Sequence, residues 1–214
     1  TRGTSKPSNN QGAATGAATG AATANYNQES KNNSFFIEDK YKSSEATTWT
    51  TALQYDRARR HVTDVATSAV ALANNYDHAF SQWSPRVGVM YDVTPTHQVF
   101  ASISRNFEAP IFGLAGTSTM ANKAQSGTTW EVGTRGESRQ GVQLYGWDAT
   151  YYRANLQNEF LTVCTNTTCS TSATSNISKS LHQGIELGLS HVYHKTVDTR
   201  VALLYSDFRF VNDP

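Results

Sequence analysis

Apolar and polar side chains alternate along residues 180–193, SLHQGIELGLSHVY, so that Ile185, Leu187 and Leu189 share one face of an extended chain while Glu186, Gly188 and Ser190 share the other. The same period of two recurs elsewhere. In TTWTTALQYDRAR, Trp49, Thr51, Leu53 and Tyr55 oppose Thr50, Ala52, Gln54 and Asp56; in WSPRVGVMYDV, Val87, Val89 and Tyr91 share a face. QVFASISRNF sets Val99, Ala101 and Ile103 against Ser102, Ser104 and Asn106. VQLYGWDATYYRANLQNEF sends Tyr145, Trp147, Ala149 and Tyr151 one way and Asp148 and Thr150 the other. DTRVALLYSDFRF repeats the pattern with Val201, Leu203 and Tyr205, Leu204 falling on the other side. With SFFIEDKY and TTWEVGTRGE, these segments predict about eight antiparallel strands.

The connections alternate in length. KSSEA, TPTH, SRQG and YHKTV are tight, whereas residues 60–81, 108–127 and 162–178 read as long polar loops. A barrel in an outer membrane, with short periplasmic turns and long extracellular loops, has this alternation; a soluble β-sandwich has no reason for it. Aromatic residues gather towards strand ends (Tyr41, Trp49, Tyr55, Trp83, Tyr91, Trp130, Tyr151, Tyr152, Tyr193), as an interfacial girdle requires. The expected fold is all-β: an antiparallel up-and-down transmembrane barrel segment with the Ile185, Leu187 and Leu189 row in lipid and Glu186 in a wet lumen. A soluble sandwich and a small closed barrel are the alternatives. The polar rows are rich in Gly, Ala, Ser and Thr, which suit the wall of a wide lumen better than a narrow filled interior.

This patterning reconciles a membrane location with a mean hydropathy of −0.51, because only alternate residues meet lipid. Eighteen Lys and Arg against 17 Asp and Glu give a net charge of +1, so no basic field exists to attract nucleic acid. There is no apolar run of the ~18 residues a spanning helix needs, and no basic-then-apolar signal peptide opens the chain. Residues 1–32, which contain GAATGAATGAATAN, read as a flexible low-complexity extracellular loop, and residues 33–214 as the barrel segment. Beginning without Met and inside a loop, the chain reads as a processed or excised piece.

Three stretches carry a family resemblance over roughly residues 33–211. SPRVGVMYDVTPTHQVFASISRNFEAP, TTWEVGTRGESRQGVQLYGWDATYYRANLQNEF and LHQGIELGLS resemble consecutive hairpins of TonB-dependent outer-membrane receptors, nearest the ferric-dicitrate and siderophore group. The order carries it: S-x-N-F-x-x-P after an ascending strand, T-x-E-x-G-x-R on the next descending one, then H-x-G-x-E-L. The resemblance implies a barrel of about 22 strands around an N-terminal plug. It also implies binding of a ferric siderophore or ferric citrate-like chelate at the surface of a Gram-negative cell, and import with energy relayed through TonB. No plug, TonB-contacting segment or C-terminal aromatic strand is recognisable, so the chain reads as the middle-to-late part of such a receptor.

Arg59, Arg60 and Arg105 fall where ascending strands end, and their planar guanidinium groups suit bidentate contact with the carboxylates or hydroxamates of an anionic chelate. Tyr76, Phe107 and Phe112 are neighbours that could pack on its organic arms, and His61 and His78, read in one long loop, join the candidate ligand set. The competing reading makes them solvated rim residues or contacts to lipopolysaccharide phosphates. Cys164 and Cys169 in CTNTTC are expected to form a local disulfide at a loop tip, two free thiols being the alternative; with no nearby histidines they do not suggest zinc. His191 and His194, three apart on a strand, point to opposite faces and are read as rim residues. His61, Asp64, His78 and Ser81 contain the ingredients of a hydrolase but lack a nucleophile motif, so no catalysis and no cofactor is expected. A structural or adhesive surface role is the remaining rival.

Overall fold

The computed structural model describes residues 3–5, 26–64, 75–110, 122–164, 166–169 and 172–211. Among these residues nine strands follow in chain order: β1 (Gly3–Ser5), β2 (Tyr26–Lys42), β3 (Thr47–Asp64), β4 (Tyr76–Thr94), β5 (His97–Glu108), β6 (Gln125–Gln140), β7 (Gln143–Cys164), β8 (Ser172–Tyr193) and β9 (Val197–Phe210). They form one sheet in the order β1 to β9, every neighbouring pair antiparallel. Among the described residues there is no second layer, as a sandwich would require. Among the described residues β9 pairs with β8 alone, so the sheet is open.

The hairpin turns use local chemistry. Pro95 and Thr96 join β4 to β5, where the fixed φ of proline suits a tight turn. Gly141 takes a φ of 62° between β6 and β7, a conformation costly for a residue with a Cβ. At residues 43–46 the Ser44 hydroxyl donates to Thr47 Oγ1 (3.0 Å) and accepts from the Ala46 amide (3.3 Å).

The long strands exceed the lengths their patterning predicts. β2 begins at Tyr26, within the stretch read as a flexible loop; β3 and β4 run through most of residues 60–81; β7 and β8 leave only a short connection in place of a loop over 162–178. The reason is physical. Beyond the apolar rows both faces carry polar side chains, so the period of two disappears, while the backbone ladder continues pair by pair (Arg60 opposite His78, His61 opposite Asp77).

The register carries the apolar rows from strand to strand. Leu53 faces Ile37 and Pro85; Val87 faces Thr51 and Ile103; Ile103 faces Trp130. Trp49, Val89, Ala101, Val132, Tyr151, Ile185 and Tyr205 continue the face as successive partners, with Ala149, Leu187 and Leu203 alongside. These side chains stand free of protein cover: Trp130 is 54% exposed and Leu189 55%. Trp49, Tyr91, Tyr145 and Tyr193 stand near the short turns, whereas Tyr55, Trp83, Trp130, Tyr151 and Tyr205 mark the far edge, six residues further along β3 and β7 (Trp49 to Tyr55, Tyr145 to Tyr151) and eight along β4 (Tyr91 to Trp83). Tyr152, expected in this girdle, is on the other face, its hydroxyl in the space a side chain at Gly184 would need.

That other face is polar. Arg86, Ser102, Ser104, Glu131, Asp148, Thr150 and Glu186 share it, and the Ser102 hydroxyl donates to Glu131 Oε2 at 2.9 Å. Near the short turns Arg135 Nε donates to Gln98 Oε1 (2.9 Å), whose Nε2 donates to Asp92 Oδ1 (2.7 Å). The few buried apolar residues, Ala58, Val62, Phe80, Leu156 and Ile177, lie towards the long-loop end.

Candidate functional site

Strand parity divides the sequence candidates. On β3, Ala58, Arg60 and Val62 lie on the polar face opposite Phe80, His78 and Tyr76 of β4. Arg59 and His61 lie on the apolar side opposite Ala79 and Asp77, and Arg105 and Phe107 share that side on β5. Phe112 lies outside the described residues. The structure therefore brings Arg60, Tyr76 and His78 together and separates them from Arg59, His61, Arg105 and Phe107.

Arg60 is 7% exposed. Its Nε donates to the Pro110 carbonyl at 2.8 Å, and one terminal nitrogen donates to Asn32 Oδ1 at 2.7 Å and to the Arg59 carbonyl at 3.2 Å. Burial lowers its pKa from the ordinary arginine value, with Tyr76 acting in the opposite direction, and burial raises the Tyr76 phenol, which Arg60 partly offsets. Arg60, one of the candidate ligand residues, thus holds the segment after β5 against β3. On β4 the alternate residues Tyr76, His78 and Phe80 form a ladder of rings, with centroids 5.9 Å and then 4.6 Å apart. His78 is exposed. Neither His61 nor His78 sits in a loop; both are on paired strands.

On the apolar side beyond the girdle, Arg59 Nε donates to Asp77 Oδ1 at 2.7 Å and a terminal nitrogen donates to Oδ2. This fork, chiefly the hydrogen bond, holds Asp77 below its ordinary pKa and raises Arg59. His61 Nδ1 is 3.6 Å from the same carboxylate. Ser81 shares a face with His61 and not with His78, and the His61 Nε2 lies 3.1 Å from the Thr63 hydroxyl.

A second polar cluster at the loop end escaped the sequence reading. The Ser180 hydroxyl donates to Glu159 Oε2, and His182 Nε2 is 3.1 Å from the same oxygen, its ring edge-on to Phe208 at 4.4 Å. Asn158, in the left-handed region at a φ of 55°, precedes Glu159 and breaks the regular alternation there. Asn176 accepts from the Lys123 amide (2.7 Å) and donates to the Lys123 carbonyl (3.0 Å), while Asn122 donates to the Thr174 carbonyl (3.0 Å). The β5–β6 connection is thus fastened to β3 at one end and β8 at the other. No sequence signal marks these contacts, since they join residues about fifty positions apart through ordinary asparagines.

Cys164 and Cys169 form a disulfide, Cys164 being the last residue of β7. His191 stacks on Tyr145 at 4.6 Å, and His194 lies in the following turn against Tyr193. Among the described residues no three His, Cys, Asp or Glu side chains gather to hold a metal ion.

A single antiparallel sheet with one bare apolar face, edged by aromatics, and one polar face is the wall of a β-barrel. Residues 2–213 match the family described as TonB dependent receptor-like, beta-barrel, and the chain belongs to it. Solved structures share the fold. The FrpB iron transporter from Neisseria meningitidis (F3-3 variant) superposes with a TM-score of 0.61 at 18% identity, over 89% of this chain and 27% of that one. The copper transporter OprC gives 0.63 at 19% identity, over 87% of this chain and 30% of that one. The ferric citrate transporter FecA in its unliganded form gives 0.61 at 15% identity, over 87% and 28%. The chain spans less than a third of the length of each. A search of curated protein sequences finds no match. Proteins of this family are receptors and transporters of the Gram-negative outer membrane, not enzymes.

Proposed function

We propose that the chain supplies neighbouring strands to the wall of a plugged barrel of about 22 strands in the outer membrane, and that the receptor so built imports a ferric chelate of siderophore or citrate type with energy relayed through TonB. The observation that carries the reading is the division of one sheet into an apolar face bounded by two aromatic girdles and a polar face that continues past them towards the long loops. The apolar face meets lipid and the polar face lines the lumen. At its extracellular mouth the Tyr76, His78 and Phe80 ladder meets the organic arms of the chelate, and Arg60 positions the β5–β6 connection beside it. Arg59, His61, Arg105 and Phe107 face outwards at the rim.

Uptake tests this reading. The full-length receptor is placed in a Gram-negative strain without other ferric-chelate receptors, and accumulation of radio-iron from ferric citrate and from ferric siderophores is followed with and without TonB. TonB-dependent uptake of one chelate, with half-saturation raised several-fold in Tyr76→Ala and His78→Ala, is expected. TonB-independent accumulation, or uptake of copper complexes alone, refutes it.

A further inference from the structure

Strand parity also sorts charge. Above the far girdle Arg57, Arg105, Arg153 and Lys179 stand on the outward face, and there the carboxylates of Glu29, Asp77 and Asp207 are each paired with a Lys or Arg. The polar face is the reverse. Among the described strand residues at that level Arg60 is its one Lys or Arg, and its Nε and a terminal nitrogen are committed to the Pro110 and Arg59 carbonyls and to Asn32. Lys123, exposed in the β5–β6 connection, adds one cation outside the strands. Asp56, Glu108 and Glu159 stand on the polar face, and none of them is paired with a Lys or Arg among the described residues.

Two of these carboxylates flank the foot of the ring ladder. Asp56 on β3 is the register partner of Gln82, which lies two residues along β4 from Phe80 and on the same face. On the other side Gln82 Nε2 donates to the Asn106 carbonyl at 3.0 Å, and Glu108 is two residues beyond Asn106 on the polar face of β5. Asp56 and Glu108 therefore stand on strands two apart, ~10 Å of sheet, with Gln82 between them and the Tyr76, His78 and Phe80 rings above. Asp56 accepts only from neutral groups, the Ser34 hydroxyl (2.5 Å) and the Gln54 amide (3.0 Å), while Glu108 is exposed with no partner among the described residues. Towards β9 the same chemistry recurs, Glu159 accepting from Ser180 and lying 3.1 Å from His182, beside the rings of Phe208 and Phe210.

Ring faces attract cations, and carboxylates without a cationic partner on a concave wall concentrate a negative potential. A polyanionic complex such as ferric citrate is repelled by both, whereas an ammonium group is drawn to both. We propose that this wall selects ferric chelates without net negative charge, and that a cationic arm of the chelate is held between Asp56 and Glu108 against the Tyr76, His78 and Phe80 rings. The proposal rests on the receptor reading above and narrows its cargo. It points away from citrate and towards hydroxamate chelates, in which three hydroxamate anions cancel the charge of the ferric ion and an ammonium arm leaves the complex positive.

The test measures TonB-dependent uptake of radio-iron by the full-length receptor in a strain without other ferric-chelate receptors, with heat-modifiable mobility reporting folding. The probes are a linear ferric trihydroxamate with a terminal ammonium, its neutral N-acetyl derivative, its negatively charged N-succinyl derivative, and ferric citrate. Half-saturation is expected to rise in that order, by about tenfold from the ammonium to the succinyl form. Asp56→Asn/Glu108→Gln is expected to bring the trihydroxamates within about twofold of one another by weakening the ammonium form, with the neutral form unchanged. Asp207→Asn, which removes a carboxylate from the outward face at the same end, is expected to keep the parent's spread. Equal half-saturation of the trihydroxamates in the parent, a spread that survives in the double variant, or an equal collapse in Asp207→Asn overturns the proposal. TonB-dependent uptake confined to ferric citrate or another anionic chelate overturns the charge selection and leaves the receptor reading standing, whereas no TonB-dependent uptake of any ferric chelate refutes both.

Discussion

Leu187→Arg is the sharpest probe of which face meets lipid. Leu187 lies in mid-belt, between Ala149 of β7 and Leu203 of β9, with Tyr193 towards the short turn and Ile185 towards the far girdle. The residue is 40% exposed, and its register partners Ala149 and Leu203 carry no charge that could neutralise an introduced one. A guanidinium at the midplane of a barrel wall costs about 2–4 kcal/mol, falling to about 0–1 near the interface. The folding equilibrium into a bilayer should therefore shift roughly 30-fold to several-hundred-fold. Glu186→Gln, one residue away but on the polar face, should stay within about 0.5 kcal/mol. Tyr193→Arg, on the lipid face at the girdle, should cost about 0–1 kcal/mol. The assay is a urea titration of the full-length receptor folding into lipid vesicles, followed by heat-modifiable mobility. Equal losses for Leu187→Arg and Glu186→Gln would refute the face assignment, and a Tyr193→Arg loss as large as that of Leu187→Arg would refute the depth.

Other expectations concern the loop end. Arg60→Ala removes the donor to the Pro110 carbonyl and to Asn32 Oδ1, and should cost about 1–3 kcal/mol and speed amide exchange around residues 108–110; unchanged exchange there would contradict its role as a fastener. Asp77 has its pKa lowered by Arg59, so the stabilisation from that fork is full above the ordinary carboxylate pKa and is lost as pH falls through the depressed folded value. Acidification through that range should raise amide exchange at residues 59–62 in the parent but not in Asp77→Asn, and the same response in both would exclude the fork as its source. Replacing Cys164 and Cys169 by Ser should loosen residues 166–169 in exchange experiments while global stability changes little, because the closed loop is short; broad destabilisation would contradict this. Gly133→Ala places a methyl group against the Phe100 ring of β5 and the Ala149 carbonyl oxygen of β7 and should cost about 1–3 kcal/mol in the same urea titration, a neutral result contradicting this close packing.

The membrane-crossing part of the fold is legible in the sequence because a bilayer imposes a rule on alternate residues. Ile185, Leu187 and Leu189 declare their face, and the register then assigns faces to Leu203 and Tyr151 across the hydrogen bonds. Where β3, β4, β7 and β8 project beyond the bilayer, no such rule applies. Thr, Asn, Ser and Arg are acceptable on both faces of a wet strand, so nothing in residues 60–64 or 172–178 separates strand from loop except the partner chain, which local patterning cannot see. The fastening of Asn122 and Lys123 to β8 is hidden for the same reason.

The candidate site is less legible than the strands, for a geometric reason. Arg59 and Arg60 are adjacent and chemically identical, and by composition either suits an anionic chelate. Period-two geometry puts them on opposite faces, so one is buried beneath a loop segment on the lumen side and the other is forked to Asp77 on the lipid side. A side chain's partner on such a wall is set by strand parity before residue type has any influence. Applied to Arg105, the same rule puts a residue read as a chelate contact on the apolar, outward side of the sheet. It leaves Tyr76 and His78 as the sequence-predicted groups whose parity and exposure both favour the lumen. Chelate affinity should therefore respond to substitutions at even-numbered positions of β4 above the girdle and be insensitive to odd ones, and a dependence on Ala79 or Asp77 equal to that on His78 would overturn the parity argument itself.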